Sequence, residues 1–148
     1  MNKIKERRIS YLTMEERNEY RKVTARINAI LDIDFGKVTL GEEFRGEGKT
    51  AEIIKRLIKD EKAIVFVPNK KVFKNLYEDF IYCHEAIFSV QERTALLNRV
   101  YVIGDKLKGT RFDEVSVFYV DDISREDYFK VKDIAKIDYR PIRGFVSY

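Results

Sequence analysis

Six consecutive residues in the first half of the chain combine the groups that a phosphate-binding loop needs. They are Arg45-Gly46-Glu47-Gly48-Lys49-Thr50. Glycines let backbone N–H groups turn toward a phosphate, a lysine reaches the β- and γ-phosphate oxygens, and a threonine hydroxyl binds Mg²⁺. Gly48, Lys49 and Thr50 supply these three functions in that order. The segment therefore predicts a binding site for ATP with Mg²⁺.

The segment departs from the full phosphate-loop pattern at one position. That pattern has a glycine, four residues and then Gly-Lys-Thr, which would require a glycine where this chain has Glu43. The alternative interpretation is an ordinary loop before a helix, in which Thr50 caps the first turn.

A second set of candidate residues is the acidic pair Asp121 and Asp122, which follows the apolar stretch 115–120. A carboxylate at the end of a strand beside a phosphate loop orients Mg²⁺ and its waters, so Asp121 is the candidate metal residue together with Thr50. Asp122 is the candidate general base beside the attacking water. The alternative is a strand that simply enters a turn, with Asp122 or Ser124 capping the next helix.

Arg45 is a candidate for both nucleotide binding and catalysis. A guanidinium within the loop can lie against the γ-phosphate and offset the charge that develops in the transition state. The competing expectation is a surface arginine paired with Glu42, Glu43 or Glu47. Gly46 and Glu47 complete the segment that would hold the nucleotide.

Composition excludes several other kinds of site. The chain has one cysteine and one histidine, which excludes an intramolecular disulfide, a cysteine-based metal centre and a histidine-rich metal site. The net charge of +4 permits contact with phosphate without requiring it. The apolar runs are far shorter than the roughly 20 residues of a membrane span, and the charged N-terminus is unlike a secretory signal. We therefore expect a cytoplasmic protein without membrane contact.

The elements that must position these residues alternate along the chain. Helices are expected at 13–31, 50–59, 72–81 and 125–134, and strands at 38–40, 63–67, 100–103, 115–120 and 142–147. Apolar strands separated by helices predict a parallel sheet covered on both faces. We expect a single three-layer α/β domain over residues 1–148, with a mostly parallel sheet and an extra N-terminal helix within residues 1–34.

Taken together, these motifs resemble the ATPase domain of phage terminase large subunits, which package DNA. The loop of that family often reads arginine-glycine-x-glycine-lysine, as 45–49 does here. The segments 63–71, 108–113 and 144–147 are similar to further motifs of the family. The resemblance covers roughly residues 38–148. It implies a P-loop NTPase-like fold, ATP and Mg²⁺ as ligands, DNA as a partner and, for a viral protein, the host-cell cytoplasm. One departure is Asp122, which stands where the family usually carries a glutamate.

Three functional hypotheses remain open on this sequence. The first is a P-loop ATP-binding protein or ATPase acting on or near DNA, whose site a protein partner or a second copy of the chain completes. The second is a catalytically inactive P-loop-like interaction or inhibitor protein, which Glu43 favours. The third is a DNA-binding accessory protein without nucleotide. Mg-ATP binding separates the first two, and salt-dependent nucleic-acid binding identifies the third.

Overall fold

A computed structural model describes residues 9–33, 39–40, 48–104, 107, 112–136 and 140–147. The strands in these ranges form one five-stranded sheet, in which every neighbouring pair is parallel. They are β1 (Thr39–Leu40), β2 (Ile64–Phe66), β3 (Val100–Tyr101), β4 (Phe118–Ile123) and β5 (Ile142–Val146). Their order across the sheet is β1-β5-β4-β2-β3. The predicted parallel α/β architecture is confirmed.

Within the described residues, five α-helices follow a short 3₁₀ helix at Ile9–Tyr11. They are α1 (Met14–Leu31), α2 (Lys49–Lys59), α3 (Lys70–Cys83), α4 (Val90–Leu97) and α5 (Arg125–Lys136). The predicted capping box of Thr13 and Glu16 begins α1. Helix α4 was not predicted, although Ser89 and Glu92 form a capping box of the same kind at its start. Across the described ranges, no helix is both long and apolar enough to cross a bilayer.

Helices cover both faces of the sheet, as the three-layer prediction required. On one face, helices α1 to α4 pack against β2, β3, β4 and β5 through residues such as Ile27, Ile53, Phe73, Leu96 and Phe145. On the other face, α5 places Val131 and Ala135 against Phe66, Phe118 and Val120. Helix α1 lies against α2 and β5, so the expected N-terminal helix is part of the first layer.

The contact between β4 and β5 depends on a glycine. Gly144 lies opposite Val120 in the parallel register and has φ of +138°. A Cβ atom at this position would lie 2.0 Å from the Val120 carbonyl oxygen. Glycine is therefore needed both for the backbone conformation and for the close approach of the two strands. Because Asp121 directly follows Val120, this contact also positions the acidic pair.

The acidic strand lies further along the chain than predicted. Strand β4 runs through Asp121 and Asp122 to Ile123, whereas the sequence pattern ended it at position 120. Its register on β5 shifts between Asp121 and Ile123, and Asp122 has φ of +57°. These two features define a β-bulge. Pairing with β5 extends the strand across polar residues, which the apolar pattern could not reveal.

The apolar repeat of each helix predicts one buried face, formed by Ile53, Ile54, Leu57 and Ile58 in α2 and by Val72, Leu76, Phe80 and Ile81 in α3. One residue of each repeat faces solvent instead of the core. Ile58 is 37% exposed on α2 and Val72 is 53% exposed on α3. The buried face of α3 is formed by Phe73, Tyr77, Phe80 and Ile81. The prediction was therefore wrong by one position at the start of this helix, and Val72 instead lies beside the candidate site described next.

Candidate functional site

Helix α2 begins directly after Gly48, whose backbone is left-handed, with φ of +90° and ψ of +21°. Glycine adopts this conformation without the steric cost that a side chain would add. It also supplies no side-chain oxygen to cap the helix. The N–H groups of the first turn carry the positive end of the helix dipole, so this end of α2 is suited to binding an anion. Arg45, Gly46 and Glu47 lie outside the described residues, and their roles stay predictions.

Thr50 and Asp121 meet across the carboxyl end of the sheet. The Thr50 hydroxyl donates a hydrogen bond of 2.7 Å to Oδ2 of Asp121. Both residues are buried, with 9% and 5% of their surfaces exposed. A hydroxyl that donates its proton to a carboxylate keeps its lone pairs for another ligand. The pair therefore offers two oxygen atoms of the kind that Mg²⁺ prefers.

Lys49 forms an ion pair with the other member of the acidic pair. Its Nζ atom lies 2.6 Å from Oδ1 of Asp122 and 5.8 Å from the centre of the Phe145 ring. The lysine side chain is only 8% exposed, whereas that of Asp122 is 42% exposed. A largely buried ammonium needs an anion close by, because removal from water disfavours an isolated charge. The structure thus places a cation beside the Asp122 carboxylate.

The β-bulge explains how two consecutive residues reach the same helix turn. In a regular strand, neighbouring side chains point to opposite faces of the sheet. Here Asp121 contacts Thr50 and Asp122 contacts Lys49, and both partners belong to the first turn of α2. The left-handed backbone of Asp122 is the local change that redirects its side chain. Aspartate tolerates this conformation better than most other residues.

A pocket of about 160 Å³ opens beside the two pairs. Thr50, Asp121 and Asp122 line one side of it. The other side is formed by the end of β2 and the start of α3, through Val67, Pro68, Asn69, Val72, Phe73 and Leu76. The sequence motifs did not indicate that the end of β2 and the start of α3 line the site. The available signal was the Pro68-Asn69 turn, which follows β2 at the same sheet edge and caps α3 through Asn69.

Polar contacts of a buried glutamate and a half-buried arginine anchor α2 to the N-terminal helix. Glu52 is 4% exposed and accepts hydrogen bonds of 2.9 Å from both Asn28 and Lys55. Arg56, one turn further along, forms an ion pair of 2.7 Å with Asp32 at the end of α1. These contacts hold the helix that carries Lys49 and Thr50, so α1 contributes to the placement of the site.

Cys83 and His84 lie away from the candidate site. Cys83 is buried, and burial raises the pKa of its thiol. His84 ends α3 and stacks on Phe80, with ring centres 4.2 Å apart. Burial, followed by the nearby charge of Lys55, lowers the pKa of His84. Neither residue touches the pocket beside Asp121 and Asp122.

The carboxyl edge of a parallel sheet is where open α/β folds bind their ligands. The described residues place a glycine-started helix, an ammonium, a hydroxyl and two carboxylates at that edge. Comparison of the chain with protein-family models, curated proteins and solved structures found no match. The chemistry of this site is therefore the basis for any functional assignment.

Proposed function

We propose that the protein is a P-loop ATP-binding protein or ATPase that acts on or near DNA. The observation that supports this most strongly is the pairing of Thr50 with Asp121 and of Lys49 with Asp122, directly after the left-handed Gly48. An ordinary loop before a helix requires none of these three features. A phosphate site with Mg²⁺ uses the glycine that starts the helix, the lysine, the hydroxyl and an acidic residue at the strand end.

In this proposal, the phosphates bind to the N–H groups at the start of α2 and to the Lys49 ammonium. Thr50 and Asp121 would hold Mg²⁺, which when bound neutralises charge on the phosphate oxygens. Among the described residues, no group of three or more His, Cys, Asp or Glu side chains could hold a metal ion. Phosphate and water oxygens would therefore complete the coordination. Gly46, Glu47 and Arg45 would form the rest of the loop.

Hydrolysis would use Asp122 as the residue that orients water. Its carboxylate borders the pocket and is accessible to solvent. It would accept a proton from the water whose oxygen bonds to the γ-phosphorus, while the bond from that phosphorus to the β–γ bridging oxygen breaks. Arg45 would offset the charge that develops. The pocket is open on one side, so we expect slow turnover until a protein partner or a second copy of the chain completes the site.

Ser147 supports the proposed similarity to the ATPase module of a phage terminase. Its backbone N–H and its hydroxyl both donate to the Ile123 carbonyl oxygen, at 2.8 and 3.2 Å. The residue after β5 is thus tied to the residue after Asp122. In this proposal, Ser147 would transmit a change at the acidic pair to the last strand.

Three lysines beside the pocket support contact with DNA. Lys70, Lys71 and Lys74 are exposed in the first turns of α3, and none forms an ion pair with another described residue. Positive charge at a helix N-terminus is unfavourable for the helix dipole, so helix stability does not explain these residues. A phosphodiester backbone would neutralise them. The same lysines favour the second candidate function, a DNA-binding accessory protein without nucleotide.

Thermal unfolding with increasing Mg-ATP tests the proposed function. A ligand at 100 times its dissociation constant adds roughly 2.7 kcal/mol to the free energy of unfolding. We expect the wild type and the control Lys59→Ala, altered in the last turn of the same helix, to be stabilised. Lys49→Ala should lose most of the effect. No stabilisation of the wild type at millimolar nucleotide would contradict the proposal and favour an inactive interaction or inhibitor protein.

A further inference from the structure

The ammonium of Lys49 is already engaged in the structure. It forms a 2.6 Å contact with Asp122, although the proposed function assigns it to phosphate. An ammonium has three donors and could bind both groups at once. That arrangement would bring the Asp122 carboxylate against a phosphate of the same charge sign, which is unfavourable. A phosphate that binds Lys49 must therefore displace Asp122.

The two members of the ion pair differ in their freedom to separate. Lys49 is almost fully enclosed and lies over the Phe145 ring, so its ammonium stays near the start of α2. Asp122 is 42% exposed and borders the pocket, so its carboxylate can turn into solvent. Its left-handed backbone belongs to the bulge and not to the regular sheet ladder. Displacement of Asp122 therefore requires no change in the core.

We propose that Asp122 competes with the nucleotide phosphates for Lys49 and thereby sets the affinity of the site. This inference rests on the proposed function. Displacement by phosphate exchanges one ion pair for another and releases the Asp122 carboxylate toward the pocket. Asp122 thus occupies the Lys49 ammonium in the free protein and is expected to orient water once the nucleotide is bound.

A double-mutant cycle on Mg-ATP affinity tests the competition. Asp122→Asn keeps the side-chain shape, tolerates the left-handed backbone and removes the charge. We expect it to lower the dissociation constant about tenfold, because phosphate then displaces a weaker hydrogen bond to a neutral amide instead of an ion pair. Lys49→Ala binds Mg-ATP more weakly, so its constant is measured at correspondingly higher nucleotide concentrations. In this background the same substitution should change the constant by less than about twofold, because additivity fails only for residues that interact. Asp133→Asn, on α5, is the control for net charge and should have no effect.

Three results in this cycle would overturn the inference. The first is an Asp122→Asn variant that binds Mg-ATP no tighter than the wild type, which would leave the proposed function intact without the competition. The same gain in both backgrounds would mean simple repulsion between Asp122 and phosphate, without a role for Lys49. If neither the wild type nor Asp122→Asn binds Mg-ATP at all, the proposed function fails and the competition fails with it.

Urea unfolding of the nucleotide-free protein gives an independent measurement. The single variants Lys49→Ala and Asp122→Asn and the double variant form a second cycle, which reports the coupling between these two residues without any ligand. We expect the double variant to be less destabilised than the sum of the single variants. Additive effects would show that the ion pair contributes nothing in the free protein, and would overturn the competition even if nucleotide binds.

Discussion

The hydroxyl of Thr50 lies 2.7 Å from Oδ2 of Asp121, although the two residues are 71 positions apart in the chain. The parallel sheet brings them together, because the carboxyl end of β4 and the first turn of α2 share one edge. The residues on either side, Lys49 and Asp122, form the second pair. Two neighbouring contacts between the same two elements thus define the candidate site.

Loss of the Thr50 hydroxyl should destabilise the protein. Thr50→Val has nearly the same shape but leaves the buried Asp121 carboxylate without this donor, at a cost of about 1–3 kcal/mol. Thr50→Ser keeps the hydroxyl and should cost less than about 1 kcal/mol. Urea unfolding measures both. Equal stability of the two variants would mean that the Thr50–Asp121 hydrogen bond does not contribute to folding.

Addition of a single methyl group at Gly144 should strongly lower the free energy of unfolding. Gly144→Ala places a Cβ atom 2.0 Å from the Val120 carbonyl oxygen, so β4 and β5 must separate. We expect a loss of about 3 kcal/mol or more. Gly104→Ala is the matched control, because nothing lies within 4 Å of its Cβ position, and it should cost less than about 1 kcal/mol. Similar melting temperatures for the two variants would contradict the β4–β5 register.

The contact between the start of α2 and the acidic strand could be predicted from the sequence. The position of the Asp122 side chain could not. Strands that alternate with helices predict a parallel sheet, and its shared carboxyl edge places Asp121 near Thr50. Strict alternation along a strand, however, would turn Asp122 away from the site. Its contact with Lys49 depends on the bulge, which arises from pairing with β5 and has no local sequence signal.

Helix α4 could not be predicted from the sequence for a different reason. The capping box of Ser89 and Glu92 was present in the sequence, but the helix buries only Leu96, so no apolar stripe indicated it. The helical repeat predicts a buried Val72, and only the position of α3 on the sheet decides that Phe73 is buried instead. Tertiary packing selects between faces that periodicity cannot distinguish.

The stability of the protein should depend on pH through His84. Its ring contacts Tyr20 and the Phe80 carbonyl oxygen, and Lys55 and Glu52 lie nearby. Burial and the Lys55 charge lower the pKa of His84 in the folded state, so the unfolded chain takes up a proton first as pH falls. The stabilisation from neutral His84 is complete above the unfolded value of about 6.5 and is lost as pH falls toward the lower folded value.

The variant His84→Gln isolates this effect, because glutamine does not titrate. Between about pH 7 and pH 5 the free energy of unfolding should fall more steeply for the wild type than for His84→Gln. Carboxylates contribute equally to both proteins, so the difference between their profiles reports His84 alone. Parallel profiles over this range would contradict the assigned direction of the pKa shift.

The lysines at the start of α3 should control any affinity for DNA. Replacement of Lys70, Lys71 and Lys74 by glutamate should weaken binding to a DNA duplex and lower the slope of log affinity against log salt by about 3, if each lysine neutralises one phosphate. Lys22, Lys62 and Lys132 are also exposed, on other parts of the surface, and their triple replacement is the control. Equal losses in the two triple variants would assign binding to net charge and not to this surface.

The most direct test of the site is to follow the backbone amide signals of ¹⁵N-labelled protein by NMR during titration with Mg-ATP. If nucleotide phosphates bind at the start of α2, the largest shifts will come from Gly48, Lys49, Thr50, Asp121 and Asp122, and the variant Lys49→Ala will lose them. Shifts centred on another surface, or a spectrum that millimolar Mg-ATP leaves unchanged, would contradict the account.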